Sequence, residues 1–121
     1  MIVNAAEHAW VLGDEKFPLV QEVATCPNGF PQREQSGYDL LASMQDHSVD
    51  RTVISHVCYY GSNNDYTVHC VKTWPDRFAG VGLLVGHRLF APQESEQNAD
   101  RLEELVTDGG LAGLRLSPGY D

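Results

Sequence analysis

Four short apolar runs, at about residues 1–6, 51–57, 78–86 and 111–116, alternate along this chain with segments of helical period. That alternation constrains the fold more than any other feature. Strands separated by helices form βαβ units, which pair in parallel through right-handed crossovers. Phe78-Ala-Gly-Val-Gly-Leu-Leu-Val85 is apolar without alternation, as a strand covered on both faces must be. The expected class is α/β, with parallel (β/α) repeats in a single domain spanning residues 1–121. Periodicity alone leaves open whether the sheet is open or part of a closed barrel.

The helices are marked by caps and stops. Ser36-Gly-Tyr-Asp39 has the form of a capping box, and Leu40, Leu41, Met44 and Val49 give the apolar face that follows it. Ser62-Asn-Asn-Asp65 repeats the capping pattern before a helix with Tyr66, Cys70, Val71 and Trp74 on one side, stopped by Pro75. A third helix is predicted from Pro92 to Asp108, with Ala99, Leu102, Leu105 and Val106 inward and Gly109-Gly110 as its cap. The glycines of the third strand predict close approach of a helix. From Ala9 to Gln35 the chain has no sustained period and carries Pro18, Pro27 and Pro31. A loop of that length is either a lid or pocket wall, or extra surface.

Charge and composition exclude several classes. The net charge of −9 and the lack of a Lys/Arg cluster argue against nucleic acid and anionic membrane as partners. No apolar run reaches the ~20 residues of a transmembrane helix, and the amino terminus lacks a secretory pattern. Cys26, Cys58 and Cys70 have no paired spacing and read as reduced thiols, which fits a cytoplasmic protein. No phosphate loop, dinucleotide fingerprint or serine elbow is present.

The chemistry gathers at the strand ends, where parallel α/β folds place their sites. His8 follows the first strand and reads as a metal ligand, a general base or a satisfied polar residue. Glu7 alternates with it and points elsewhere. His56, among Val53, Ile54 and Val57, is either a hydrogen-bonded core residue or a catalytic one. Tyr59 and Tyr60 either contact a small ligand or pack, and a Cys58–His56 nucleophile pair is a weaker alternative. His87 closes the third strand. Arg115 lies in the fourth, where a guanidinium needs a carboxylate from the protein or from an anionic substrate.

The strings Val49-Asp-Arg-Thr-Val-Ile-Ser55, Tyr60-Gly-Ser-Asn-Asn64, Trp74-Pro-Asp-Arg-Phe-Ala-Gly-Val-Gly82 and Gly110-Leu-Ala-Gly-Leu-Arg-Leu-Ser117, with His8-Ala-Trp10 after the first strand, are together similar to the amidohydrolase-related barrel proteins. The resemblance implies the N-terminal half of a TIM (β/α)₈ barrel. It also implies a hydrolase of a small carboxylated or cyclic ester (lactone-like) or amide substrate, or a decarboxylase using the same mouth. The family's metal site usually begins with His-x-His after the first strand. Here that triplet is Ala6-Glu7-His8, so a divalent metal such as zinc would keep His8 alone from the pair. By the same resemblance His8, His56 and Arg115 are the catalytic candidates, and Tyr59, Tyr60, His87 and Arg115 the substrate-binding ones. A fourth strand without a following helix implies a partial barrel. A non-catalytic barrel fragment or binding module is the rival reading. For the isolated chain we expect no turnover, and self-association through two sheet edges.

Overall fold

A computed structural model describes residues 1–20, 29, 31–84 and 95–115, with the backbone alone at 95 and 96. The order is β1 (Val3–Glu7), α1 (Gly37–Asp46), β2 (Arg51–Ser55), α2 (Asp65–Thr73), β3 (Phe78–Leu83), α3 (Ser95–Thr107) and β4 (Gly113–Arg115). The strands form one parallel sheet in the order β1-β2-β3-β4. A doubly wound sheet reverses its order at a switch point, whereas a barrel adds each strand beside the last. The unbroken order therefore settles the choice that periodicity left open: this is a partial (β/α) barrel.

The two faces of the sheet are distinguished by what they touch. Thr52, Ile54 and His56 are buried on one face, and Phe78, Gly80 and Gly82 continue it on β3. A Cβ built on Gly80 would meet Thr67 and Val71 of α2, so this face lies under the helices. Val53, Ser55, Val81 and Leu83 alternate with it and form the inner face. The core comprises Ile54, Phe78 and Leu111 against Leu40 and Met44 of α1 and Tyr66, Cys70 and Val71 of α2. Thr52 is an exception, a fully buried hydroxyl with no hydrogen-bond partner among the described residues.

The helix boundaries follow the sequence signals at some ends and depart from them at others. Ser36 and Asp39 form the reciprocal capping box. Ser62 does not cap α2; Asn64 precedes it, and its side chain is used elsewhere. Asn64 Oδ1 accepts from Leu83 N–H at 2.8 Å while its Nδ2 donates to the Leu83 carbonyl at 2.9 Å, imitating one more strand residue at the end of β3. On α3, Leu102 and Leu105 turn inward, but Ala99 and Val106 are exposed. Gly110, with φ of +70°, ends the segment as foreseen. β3 spans Phe78–Leu83, and β4 begins at Gly113, two residues into its apolar run; positions 85, 86 and 116 of the expected strands lie outside the described residues.

Two buried tyrosines fasten the long first loop at both ends. Tyr60 accepts from Val11 N–H at 2.9 Å and Tyr66 from Gly37 N–H at 3.0 Å, with the two rings 5.9 Å apart. An antiparallel bridge between Trp10 and Gln35 closes the loop's base. Among the described residues no helix is long and apolar enough to cross a membrane.

Gly80 gives a direct test of this packing. An added Cβ would lie 2.8 Å from Leu111 Cδ2 and 2.9 Å from both Thr67 Cγ2 and Val71 Cγ2, the latter two on stiff β-branched side chains. Gly80→Ala should cost roughly 1–3 kcal/mol in urea unfolding, a typical overpacking penalty. Gly113→Ala, with nothing within 4 Å, should stay within about 0.5 kcal/mol of wild type. Equal effects at the two positions would contradict the packing described.

Candidate functional site

The site begins with an irregularity in β1. Asn4 stands opposite Thr52 and Glu7 opposite Ile54, so three steps along β1 match two along β2. This bulge reverses the facing of every residue after it. In a regular strand His8 would share the face of Asn4 and turn under the helices. Instead Glu7 takes that side, where its Oε1 accepts from Asn4 Nδ2 at 3.0 Å. His8 therefore falls on the inner face beside Ser55.

The half-buried His8 ring is held there. Its Nδ1 lies 2.7 Å from the Ser55 carbonyl. A carbonyl can only accept, so Nδ1 carries the hydrogen and Nε2 has the lone pair of the neutral ring. The backbone of His8 is also fixed, since Gln35 Nε2 donates to its carbonyl at 2.6 Å. Nothing in the sequence pattern pointed to Gln35, which acts across a loop and through an amide that motif spacing does not reveal.

Arg115 arrives from the other edge of the sheet. It pairs in register with Leu83, on the inner face, and its Nη1 donates to the His56 carbonyl at 3.0 Å. The observed partner is thus a backbone carbonyl of β2's end, where the sequence suggested an acidic side chain or a substrate acid. That contact uses one of a guanidinium's five N–H donors, whose planar fork suits a carboxylate. His8 and Arg115 are consequently anchored on the successive carbonyls of Ser55 and His56.

His56 occupies the opposite face. Its ring is fully buried, with Nδ1 3.0 Å from Thr67 Oγ1 and Nε2 2.9 Å from the Gly61 carbonyl. Nε2–H donates to Gly61, and Nδ1 accepts from the Thr67 hydroxyl. Burial pushes its pKa down to about 4, with smaller lowering by Arg115 and His8 and an opposing effect of the Gly61 bond. The ring is neutral, and both of its nitrogens are engaged within the protein. This geometry matches the hydrogen-bonded core alternative for His56.

The remaining candidates divide similarly. Tyr60 is buried and stacks on His56 with ring centroids 6.0 Å apart, its hydroxyl pushed up to about 12 chiefly by burial. Tyr59 is half-buried, edge-on to Trp10 at 5.2 Å, and its carbonyl accepts from Val20 N–H. Cys58 and Cys70 form no disulfide, and burial raises the Cys70 thiol to about 11. His87 and Cys26 lie outside the described residues.

The donor set among the described residues does not suit a tightly held metal. Among the described residues, no three His, Cys, Asp or Glu side chains come together. His8 could present Nε2, but Ala6 offers nothing where a second imidazole would stand, and protein zinc sites use three or four ligands.

No family model matches the sequence, and no curated protein matches it. Solved structures do share its fold. A probable 2-pyrone-4,6-dicarboxylic acid hydrolase from Acinetobacter baumannii, crystallised with citric acid, is 15% identical with a TM-score of 0.64, covering 95% of this chain and 37% of that one. An Agrobacterium tumefaciens protein in its apo form is 19% identical with a TM-score of 0.62, over 94% of this chain and 36% of that one. A 5-carboxyvanillate decarboxylase from Novosphingobium aromaticivorans, bound to manganese and a nitrobenzoic acid, is 18% identical with a TM-score of 0.52, over 64% and 25%. The chain spans little more than a third of the first two. At these identities the likeness is one of fold, the parallel half-barrel described above.

The depressed His56 titration predicts acid sensitivity. The unfolded ring titrates near 6.5 and the folded ring near 4, so between these values the unfolded chain binds more protons. Stability from the neutral ring is complete above pH 6.5 and is lost as pH falls toward 4, by roughly 3 kcal/mol in all. In urea unfolding, the advantage of wild type over His56→Gln should shrink by about that amount across the window. A constant difference would show that His56 is not buried and neutral.

Proposed function

We propose that this chain forms one half of the mouth of a barrel hydrolase acting on a small carboxylated cyclic ester or amide, lactone-like in its ring. The observation that carries the reading is the convergence of His8 and Arg115 on adjacent carbonyls at the carboxyl end of β2, on the inner face. In (β/α)₈ enzymes that end of the strands is where substrates bind. The fold neighbours add support, because two of them are described with carboxylic acids bound.

In this reading Arg115 pairs with a substrate carboxylate through its planar fork, and His8 serves as general base. Nε2 of His8 takes a proton from water as the water oxygen attacks the ester carbonyl carbon. The ring C–O bond then breaks, and the imidazolium returns its proton to the departing oxygen, leaving an acid and a hydroxyl group. His56 is a positioning residue rather than a proton carrier, since its carbonyl holds Arg115 while its ring is locked to Thr67 and Gly61. Tyr60 shapes the wall behind it, and Tyr59 and His87 remain candidates for substrate contact.

A decarboxylase is the second reading, favoured by the likeness to the 5-carboxyvanillate enzyme. It would use Arg115 in the same way but would need no attacking water.

Titration with a 2-pyrone dicarboxylate, followed by NMR, tests the proposal. Saturable shifts at the His8 and Arg115 side chains are expected. Arg115→Met should weaken binding ~10–100-fold, the worth of a charge-assisted hydrogen bond. His8→Gln should leave binding within about threefold. Hydrolysis of the ring by any longer form of the protein should be lost in His8→Gln. Shifts confined to other residues, or no saturable binding, would overturn the reading. Binding without any hydrolysis in such a form would favour a binding module.

A further inference from the structure

We infer that Gln35 is a positioning residue for His8, reaching across a separation of 27 residues to hold the imidazole that the bulge turns inward on the Ser55 carbonyl, and so to keep its tautomer. The inference rests on the proposed role of His8, and it extends that role to a residue far from it in sequence.

The argument is geometric. The ladder between β1 and β2 ends at Glu7, so the His8 carbonyl lies one residue past the last strand pair. Gln35 Nε2 donates to that carbonyl at 2.6 Å. The same residue grips Trp10 through its main chain, donating to the Trp10 carbonyl at 3.1 Å and accepting from Trp10 N–H at 2.8 Å. Three hydrogen bonds from one residue therefore span His8 to Trp10. The side-chain amide has one acceptable orientation, because flipping it would set two oxygens against each other. Adjacent bonds extend the seam: Trp10 Nε1 donates to the Arg33 carbonyl at 2.7 Å and Leu12 N–H to Glu34 Oε1 at 3.1 Å.

The consequence falls on the ring. A histidine side chain free in water favours hydrogen on Nε2. Here the Ser55 carbonyl demands it on Nδ1, which leaves Nε2 as the basic nitrogen. That arrangement lasts only while the His8 backbone keeps the ring aimed at Ser55. Supporting groups of this kind commonly fix the orientation of an active-site side chain. Removing the Gln35 amide releases the His8 carbonyl between Glu7 and the Trp10 bridge, so the ring is aimed less firmly at Ser55 and returns toward the form it has in water.

Long-range ¹H–¹⁵N spectra of neutral histidines read the tautomer directly. In wild type His8 should show the Nδ1–H form. In Gln35→Met, which keeps the main-chain bridge and most of the side-chain length, the Nε2–H population of His8 should rise at least threefold. His47, whose Nδ1 bonds the Ser43 carbonyl at 2.8 Å, should not change and serves as the internal control. Gln35→Ala should behave as Gln35→Met does. An unchanged His8 tautomer in a folded variant would overturn the inference. Should neither variant fold, wild type still decides: the Gln35 side-chain amide protons should exchange at least tenfold more slowly than those of the exposed Gln45. Equal exchange would overturn it. Dicarboxylate titration of the same wild-type sample separates the two proposals, since a failure to bind there leaves the tautomer result standing.

Discussion

One extra residue in β1 decides what the rest of the site can be. Parallel strands pair so that opposed residues face the same way, and a one-residue slip exchanges the two faces. The bulge between Asn4 and Glu7 is such a slip, confined to the end of one strand. It leaves the early part of β1 in register with β2 and turns His8 inward at the point where the strand stops. From the opposite edge, Arg115 reaches inward without any irregularity, because its register with Leu83 already places it there. The carboxyl end of β2 then becomes common ground, with its successive carbonyls accepting from an imidazole and a guanidinium.

The helix side of the same strand explains why those carbonyls stay in place. His56 is locked beneath α2 by Thr67 and by the turn at Gly61. Tyr60 stacks on it and ties down the start of the first loop, while Tyr66 ties down its end. Gly80 and Gly82 let α2, Leu111 and Asn64 come close to β3, and Asn64 then completes the hydrogen bonding of Leu83. Each contact is modest, since a net hydrogen bond contributes only ~0.5–1.5 kcal/mol. Their common effect is to make the end of the sheet rigid, which positions side chains more firmly than a loop would.

Much of this was legible in the sequence. Apolar runs separated by helical segments gave the parallel repeats, and Ser36 with Asp39 gave the first helix its start. The glycines of β3 announced a close helix. What could not be read was facing. A bulge leaves no mark in composition, so the strand-end position of His8 was clear while its orientation was not. His56 sits at the same level of the sheet, yet alternation sends it to the opposite face. Gln35 and Asn64 were invisible for another reason: each acts through a side-chain amide on a backbone group of a distant element, and no local period encodes that. Ser62 was a misleading signal, because the asparagine two residues later precedes the helix and serves the neighbouring strand instead.

The central claim is that the successive carbonyls of Ser55 and His56, where β2 ends, hold the His8 ring and the Arg115 fork. Scalar coupling across hydrogen bonds measures this directly, since it requires the donor nitrogen and the carbonyl carbon to share a bond. The account predicts a resolved coupling from His8 Nδ1 to the Ser55 carbonyl carbon, and another from Arg115 Nη1 to that of His56. Absence of both couplings, with His8 Nδ1 found unprotonated, would contradict it.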